Sequence, residues 1–144
     1  MGKAAGRQHA LYKAMTEVLR AIVTPHYNCG QSVILPFAES LGYTEETVMR
    51  FAANFGGGMK GGRLCGAVAG GAVVLGLYGL EDRAIVEDYY ARLQQRHPES
   101  LDCAPLLALN EARGGVKKPH CDALVYEVIG VVEEMLREHG KLEA

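Results

Sequence analysis

The sequence predicts an all-α protein, a single domain forming a helical bundle of about six to seven helices with cysteines at helix N-termini. Apolar residues recur at helical spacing along most of the chain. No segment shows sustained two-residue alternation or a hairpin turn between apolar runs, so no strand is required. No repeat, low-complexity stretch or linker divides residues 1–144, which is a length that one hydrophobic core can serve. We therefore expect one domain over residues 1–144.

Three helices are predicted in the N-terminal part. The first covers about residues 8–23 and ends at the Thr-Pro pair of positions 24–25, because the residue before a proline is disfavoured in a helix. Asn28 is expected to cap the second helix, with Gln31 completing a capping box. Thr44 is expected to cap the third, which ends near position 56. The predicted buried face of the third helix consists of Val48, Phe51, Ala52 and Phe55.

A glycine-rich segment separates these helices from a long apolar one. Residues 56–62 read Gly-Gly-Gly-Met-Lys-Gly-Gly, which favours a loop with several positive-φ residues over a helix. The uncharged segment 64–80 is 17 residues long and contains five glycines, so it is interpreted as a buried core helix rather than a membrane span. Its small residues, Gly66 and Gly70 among them, should allow another helix to approach closely.

Three more helices complete the prediction. Asp82 should cap a helix that ends at His-Pro 97–98, and Asp102 should cap a short one that ends at Gly-Gly 114–115. The last helix is predicted over about residues 120–139. Its apolar stripe consists of Leu124, Val125, Val128, Ile129, Val132, Met135 and Leu136.

Composition narrows the classes of function. The chain has 15 basic and 17 acidic side chains, a formal charge of -2, so neither nucleic acid nor an anionic membrane is a favoured partner. Charged residues interrupt the first 20 positions, which argues against a secretory signal and predicts a cytoplasmic protein. Cysteines are kept reduced in that compartment unless they do redox or metal chemistry, so the four cysteines are the leading functional candidates.

The four cysteines, Cys29, Cys65, Cys103 and Cys121, are all predicted to lie in the first turns of helices. Free N–H groups and the helix dipole stabilise a thiolate there, and the thiolate is the nucleophilic and metal-binding form. A lone cysteine is more often a small buried hydrophobic residue, so the inference depends on the repetition. The separations along the chain are 36, 38 and 18 positions, which match no short metal-binding motif. Four helix starts converging at one end of a bundle would nevertheless supply the four thiolates of an iron–sulfur cluster.

Other residues are candidates around such a site. The glycine-rich segment could wrap a cofactor closely and offer N–H groups to the sulfurs, through Gly57, Gly58, Gly61, Gly62 and Gly66. It is not a P-loop, because Lys60 is followed by glycine rather than Ser or Thr. His26 and His120 lie close to cysteines in sequence and are ligand candidates of lower rank than the cysteines, since most such histidines are surface residues.

At this point the motifs resemble those of a known family, the redox-active C_GCAxxG_C_C proteins. Residues 65–70, Cys-Gly-Ala-Val-Ala-Gly, resemble the central box of that family, and residues 55–59 resemble the stretch before it. Asn28-Cys29 is similar to the first cysteine, and Cys103 and Cys121-Asp122 to the last two. The resemblance covers about residues 11–136, with Gly30 as a departure at a position where alanine is expected.

The resemblance implies redox activity. A similar domain occurs in split-Soret cytochromes, where an iron–sulfur centre is associated with it. Covalent c-type haem is not expected here, because the chain has no Cys-x-x-Cys-His motif.

Three hypotheses remain open from the sequence. The favoured one is an electron-transfer or redox-sensing protein whose four cysteines are the metal ligands of an iron–sulfur cluster. The alternatives are a thiol–disulfide oxidoreductase and a structural zinc-binding module, both using the same cysteines. No catalytic residues can be assigned, since no triad or carboxylate pair can be placed at one site. The expected partners are a redox protein or a small-molecule electron carrier, and the small-residue face of residues 66–71 could also pack against a second copy.

Overall fold

The helices follow one another in the predicted order, and the prediction of an all-α fold is confirmed. The computed structural model describes residues 2–24 and 26–143, with only the backbone for residues 2–11. The seven α-helices are α1 (Gly2–Ala21), α2 (Cys29–Ser40), α3 (Glu45–Phe51), α4 (Gly66–Leu77), α5 (Arg83–Arg96), α6 (Cys103–Ala112) and α7 (Lys117–Glu138). No strand forms within the described residues, although Leu64 and Asp102 make one isolated antiparallel bridge.

Two of the N-terminal helices differ from their predicted bounds. The first begins at Gly2 rather than near position 8 and ends at Ala21. Pro25, which was expected to end it, lies outside the described residues. The third helix ends at Phe51, before the predicted end near position 56. Phe51, the last residue of this helix, is 42% exposed and so does not belong to the buried face.

The predicted start of α7 was also wrong. This helix begins at Lys117, three residues before His120, after an extended Val116 at the N-cap position. Pro119 is therefore the third helical residue rather than a residue just outside the helix. A proline is accepted there because the N–H groups of the first turn have no partner within the helix.

Predicted caps fall into two groups. The capping box of Asn28 with Gln31 is confirmed, as is the cap that Thr44 provides to α3. Asp82 and Asp102 occupy the predicted N-cap positions of α5 and α6, but their side chains make no capping hydrogen bond.

The core lies where α2 packs between α1, α4 and α7. Its largest fully buried side chains include Phe37, Ile34, Leu75, Ile129 and Met135. Tyr12 of α1 stacks on Phe37 of α2 with ring centroids 4.2 Å apart, which fixes α1 against the bundle. The bundle brings together at one end the N-terminal ends of α2 and α6 and the segment before α4.

Small residues set the spacing around α4, as the sequence predicts. A Cβ added to Gly70 would lie 3.0 Å from the carbonyl oxygen of Gly30, so α2 and α4 approach at glycine on both sides. A Cβ on Gly71 would overlap the hydroxyl of Tyr89, which is fully buried and donates a hydrogen bond to the Val68 carbonyl (2.6 Å). The small-residue face is therefore filled by other helices of this chain.

The described helices include none that is both long enough and apolar enough to span a bilayer.

Candidate redox site: a cavity lined by four cysteines

All four cysteines line one cavity of about 410 Å³, which we call the cysteine cavity. Cys29 and Cys103 are the first residues of α2 and α6, as the sequence predicts. Cys65 occupies the N-cap position just before α4, and Cys121 lies in α7. The structure thus brings together residues that are up to 92 positions apart in the sequence.

The position of Cys29 is fixed by the capping box before it. The Asn28 side-chain oxygen accepts a hydrogen bond from the Gln31 N–H (2.8 Å), and the Gln31 side chain accepts one from the Asn28 N–H (2.9 Å). The Asn28 amide also donates to the Ala52 carbonyl (3.0 Å) at the end of α3. Each of these groups satisfies an otherwise unpaired backbone atom, so the first turn that carries Cys29 is anchored to a second helix.

Gly30, the departure from the family pattern, lies directly against Phe55. A Cβ at Gly30 would lie 2.6 Å from the ring of Phe55 and would have to displace it. The glycine is therefore required by the close packing of Phe55 on the start of α2.

A short backbone ladder holds Cys65 beside Cys103. The N–H of Cys65 donates to the Leu101 carbonyl (2.9 Å), and the N–H of Cys103 donates to the Arg63 carbonyl (2.6 Å). These bonds flank the Leu64–Asp102 bridge. Main-chain bonds thus hold two cysteines that are 38 positions apart on either side of one bridge, with Cys65 opposite Leu101 and Cys103 opposite Arg63.

The glycine-rich segment forms a tight left-handed turn rather than an irregular loop. Four successive residues, from Gly57 to Lys60, have φ near +60°. Met59 and Lys60 lack the freedom of glycine and are held there at a cost of about 1–2 kcal/mol each. The N–H of Arg63 closes the turn on the Gly58 carbonyl (2.9 Å). A Cβ at Gly58 would lie 2.5 Å from the Cβ of Cys103, so this turn packs directly against that cysteine.

The glycines proposed as cofactor neighbours divide into two sets. Gly57, Gly58 and Gly66 line the cysteine cavity, together with Gly56, which the sequence analysis missed. Gly61 and Gly62 do not line it, since Gly62 packs against Ala104 and Gly61 lies by the Arg63 side chain.

The prediction that Cys121 lies in a first turn was wrong. It is the fifth residue of α7, because the helix begins at Lys117, and so it is beyond the free N–H groups of the helix start. Its interaction is with a second thiol, since Cys121 donates a hydrogen bond to the sulfur of Cys29. No short spacing in the sequence indicates this pair.

The pKa values of the two thiols in this pair are shifted in opposite directions. The pKa of Cys29 is lowered to about 6, and the hydrogen bond from Cys121 is the largest cause. The positive charges of Arg20 and Lys117 also lower it, whereas burial opposes the shift. The same bond raises the pKa of Cys121, because it stabilises the protonated donor, and burial adds to that rise. Near neutral pH the metal-free pair is therefore a Cys29 thiolate and a Cys121 thiol.

The other two cysteines are held as thiols. Burial raises the pKa of Cys65 to about 11, although the N–H groups of Ala67 and Val68 partly oppose it. Burial also raises the pKa of Cys103. Helix placement therefore does not decide which cysteine is a thiolate. The pKa of Cys29 is lowered chiefly by the hydrogen bond from Cys121, whereas burial raises the pKa values of Cys65 and Cys103 although both lie at helix starts.

A buried arginine behind Cys29 is a site residue that sequence reasoning missed. Arg20 is 9% exposed, and its Nε donates to Asp122 Oδ1 (2.7 Å) while its Nη1 donates to the Tyr27 carbonyl (3.0 Å). Lys118 Nζ also bonds Asp122 (3.2 Å) and the Arg20 carbonyl (2.8 Å). Arg20 and Asp122 are 102 positions apart, so no local pattern reveals the ion pair.

Both lower-ranked histidines line the same cavity. His26 is exposed at its edge, and His120 is partly buried next to Cys121 in sequence. Burial lowers the pKa of His120, with a smaller contribution from nearby His97.

The spacing of the donors bears on which metal they suit. Among the described residues, no three Cys, His, Asp or Glu side chains lie close enough together to hold a single metal ion. A zinc ion needs its sulfur ligands about 2.3 Å from one point, so binding zinc would require the cysteine side chains to move closer together. A cluster takes one thiolate on each of several irons, and four cysteines around one cavity fit that requirement.

The comparison with protein families decides the affiliation of the chain. The family model described as "Putative redox-active protein (C_GCAxxG_C_C)" matches residues 27–135, more than half of the chain. The chain belongs to this family. The resemblance seen in the sequence is thus confirmed, and the matched span of the C_GCAxxG_C_C family contains all four cysteines of the cavity. No curated protein and no solved structure matches the chain.

Proposed function

We propose that this C_GCAxxG_C_C protein is a one-electron redox protein whose four cysteines hold an iron–sulfur cluster for electron transfer or redox sensing. The observation that carries the proposal is the convergence of all four cysteines, from four separate elements, on one cavity. A dithiol enzyme would need only two of these cysteines. Cysteines that served only to fill the core would not need to line a cavity. Four thiolates are the ligand set of the common clusters.

The residues present fit such a group. The four cysteines supply an all-sulfur donor set, and the cavity that they line has a volume of about 410 Å³. Cys29, Cys65, Cys103 and Cys121 would be the ligands. When bound, a cluster supplies reversible one-electron chemistry at a potential set by its surroundings.

The residues around the cysteines favour metal binding through their charge, their burial and their backbone bonds. Arg20 and Lys117 place positive charge near Cys29 and so favour the anionic sulfur that metal binding requires. Cys65 is 7% exposed, which keeps water from one side of the site. Two features fix the positions of Cys65 and Cys103 independently of a metal. They are the left-handed turn at residues 57–60 and the backbone ladder between residues 63–65 and 101–103.

Anaerobic reconstitution tests the proposal. Purified protein is reduced, incubated with ferrous iron and sulfide, and freed of excess reagents, and its absorption spectrum and its iron and acid-labile sulfide contents are measured. We expect a brown protein with iron and sulfide in matching amounts. The Cys65→Ser and Cys103→Ser variants are matched controls that should each lose most of the bound iron. A colourless, iron-free wild-type protein would refute the proposal, and stoichiometric zinc without a redox response would support the structural zinc module instead.

A second candidate function is thiol–disulfide exchange, which the Cys121-to-Cys29 hydrogen bond favours. The Cys29 thiolate would attack a substrate disulfide, forming a mixed disulfide and releasing one substrate thiolate. Cys121 would then attack the Cys29 sulfur while its proton passes to the departing substrate sulfur, so that the second substrate thiol leaves and the Cys29–Cys121 disulfide remains. Trapping of a mixed disulfide by Cys121→Ser, but not by Cys103→Ser, would establish this activity.

Either activity is suited to the cytoplasm, where we expect the protein to act because reducing conditions keep its thiols available. A redox protein or a small-molecule electron carrier would be its partner.

A further inference from the structure

The lining of the cysteine cavity is positively charged in an acidic protein. The chain has a formal charge of -2, yet the described residues that line the cavity include three permanent cations and no carboxylate. The cations are Arg20, Lys117 and Lys118. The N-terminal ends of α2 and α6 also meet at the cavity and add partial positive charge. The charge at this opening is thus opposite to that of the molecule as a whole.

Only part of this charge is neutralised locally. Asp122 lies behind the lining, and its carboxylate is shared between Arg20 (2.7 Å) and Lys118 (3.2 Å). Lys117 is exposed and forms no ion pair within the described part of the chain. Asp122 thus offsets Arg20 and Lys118, and Lys117 is left as the exposed cation at the rim without an ion-pair partner among the described residues.

Exposed apolar side chains flank these cations. Val23 lines the cavity and is 80% exposed, with half-buried Ile22 beside it. Val116, immediately before Lys117, is 69% exposed. Exposed apolar side chains that lie together are a feature of protein contact sites, whereas a small anion would need only the charges. This combination favours a protein partner.

We propose that the electron carrier of this protein is an acidic protein that docks over the mouth of the cysteine cavity. Its carboxylates would face Lys117 and Lys118, and its apolar surface would cover Val23. One electron passes between carrier and site, one being oxidised as the other is reduced, with no covalent bond formed or broken. The inference rests on the proposed one-electron function and adds the chemistry of the partner.

The competing explanation is that the cations only offset the negative charge of the cysteine sulfurs. Buried Arg20 suits that role, since it lies behind Cys29 and is fixed by two hydrogen bonds. Lys117 differs because it is exposed to solvent. A residue that only tunes the site changes the rate with every oxidant in the same direction, whereas a residue that steers a partner changes the rate according to the charge of that partner.

Stopped-flow oxidation of the reduced, reconstituted protein separates these explanations. The small probes are the anion cobalt(III)–EDTA and the cation hexaammineruthenium(III). Lys117→Glu is compared with Lys141→Glu, which makes the same change in net charge at an exposed position outside the cavity lining. We expect Lys117→Glu to slow the anionic probe about tenfold and to speed the cationic one, while Lys141→Glu changes either rate less than twofold. Equal effects of the two variants, or a change of the same sign with both probes, would overturn the steering role of Lys117.

A protein probe tests the apolar part of the docking face. Electron exchange with an acidic plant-type ferredoxin is measured in the direction that the two potentials favour, for wild type and for Val23→Ser. We expect Val23→Ser to slow this exchange severalfold without affecting cobalt(III)–EDTA, and rising salt to slow the exchange in both proteins. Equal ferredoxin rates for wild type and Val23→Ser would overturn protein docking in favour of a small anionic carrier. All of these assays require a protein that has passed the iron and sulfide analysis, so failure of this inference is distinct from failure of the proposed function.

Discussion

The cysteine cavity contains two pairs of cysteines that share a space but differ in their chemistry. Cys29 and Cys121 are joined by a thiol hydrogen bond beside Arg20, which leaves Cys29 acidic. Cys65 and Cys103 are held on either side of the Leu64–Asp102 bridge by backbone bonds, and burial raises the pKa of both thiols. The first pair is therefore ready to react without a metal, whereas the second needs a metal to displace its protons.

This difference connects the two candidate functions. A metal-free protein would behave as a dithiol through the first pair, and only the addition of the second pair completes a four-thiolate ligand set. The three predictions that follow test whether the two pairs differ as the structure indicates.

The largest expected effect is a difference in thiol reactivity. In metal-free protein at pH 7, Cys29 should react with iodoacetamide about a hundredfold faster than Cys65. The difference in thiolate fraction is about 10⁴, and the lower intrinsic nucleophilicity of the less basic thiolate offsets about two powers of ten of it. The Cys29 rate should rise with pH and level off above its pKa of about 6, since the thiolate forms as pH increases through that value. Peptide mapping by mass spectrometry measures both rates. Similar rates for the two cysteines would remove the distinction between the pairs.

The second effect concerns the turn that supports Cys103. Gly58→Ala should lower the free energy of unfolding by about 3 kcal/mol, because the new Cβ would lie 2.5 Å from the Cys103 Cβ at a positive φ. Gly57→Ala is the matched control: it has the same φ of +63° but open space around the Cβ, and should cost about 1 kcal/mol. Urea unfolding measures both. Equal losses would show that the turn does not press on Cys103.

The smallest effect tests the hydrogen bond of the first pair. Cys121→Ala removes the donor to Cys29, so the thiolate is less stabilised and the pKa of Cys29 should rise by about one unit. Cys121→Ser keeps an O–H donor and should raise it less. The measurement is the pH dependence of Cys29 alkylation in each variant. A pKa of Cys29 that is unchanged in the alanine variant would assign its acidity to Arg20 and Lys117 instead.

Local chemistry explains why much of the fold could be predicted from the sequence. Apolar periodicity and the capping box at Asn28 involve residues within one or two turns of each other, so the sequence pattern is sufficient. The start of α7 was missed because Pro119 is compatible with several positions in a first turn, and the sequence does not distinguish among them.

The site itself depended on contacts between distant residues. The repeated placement of cysteines at predicted helix starts suggested convergence. The ladder that positions Cys65 and Cys103, however, joins two segments far apart in the chain and has no local signal. The same is true of Arg20 and Asp122. The acidities of the cysteines were mispredicted because helix position was considered and burial could not be.

The most direct test of the central claim is a crystal structure of the anaerobically reconstituted protein, with data collected at the iron absorption edge. If the four cysteines are ligands of one cluster, the anomalous map will show iron in the cysteine cavity within bonding distance of Cys29, Cys65, Cys103 and Cys121. A map without iron in the cavity, with Cys29 and Cys121 joined as a disulfide and the other two cysteines left as free thiols, would contradict the account.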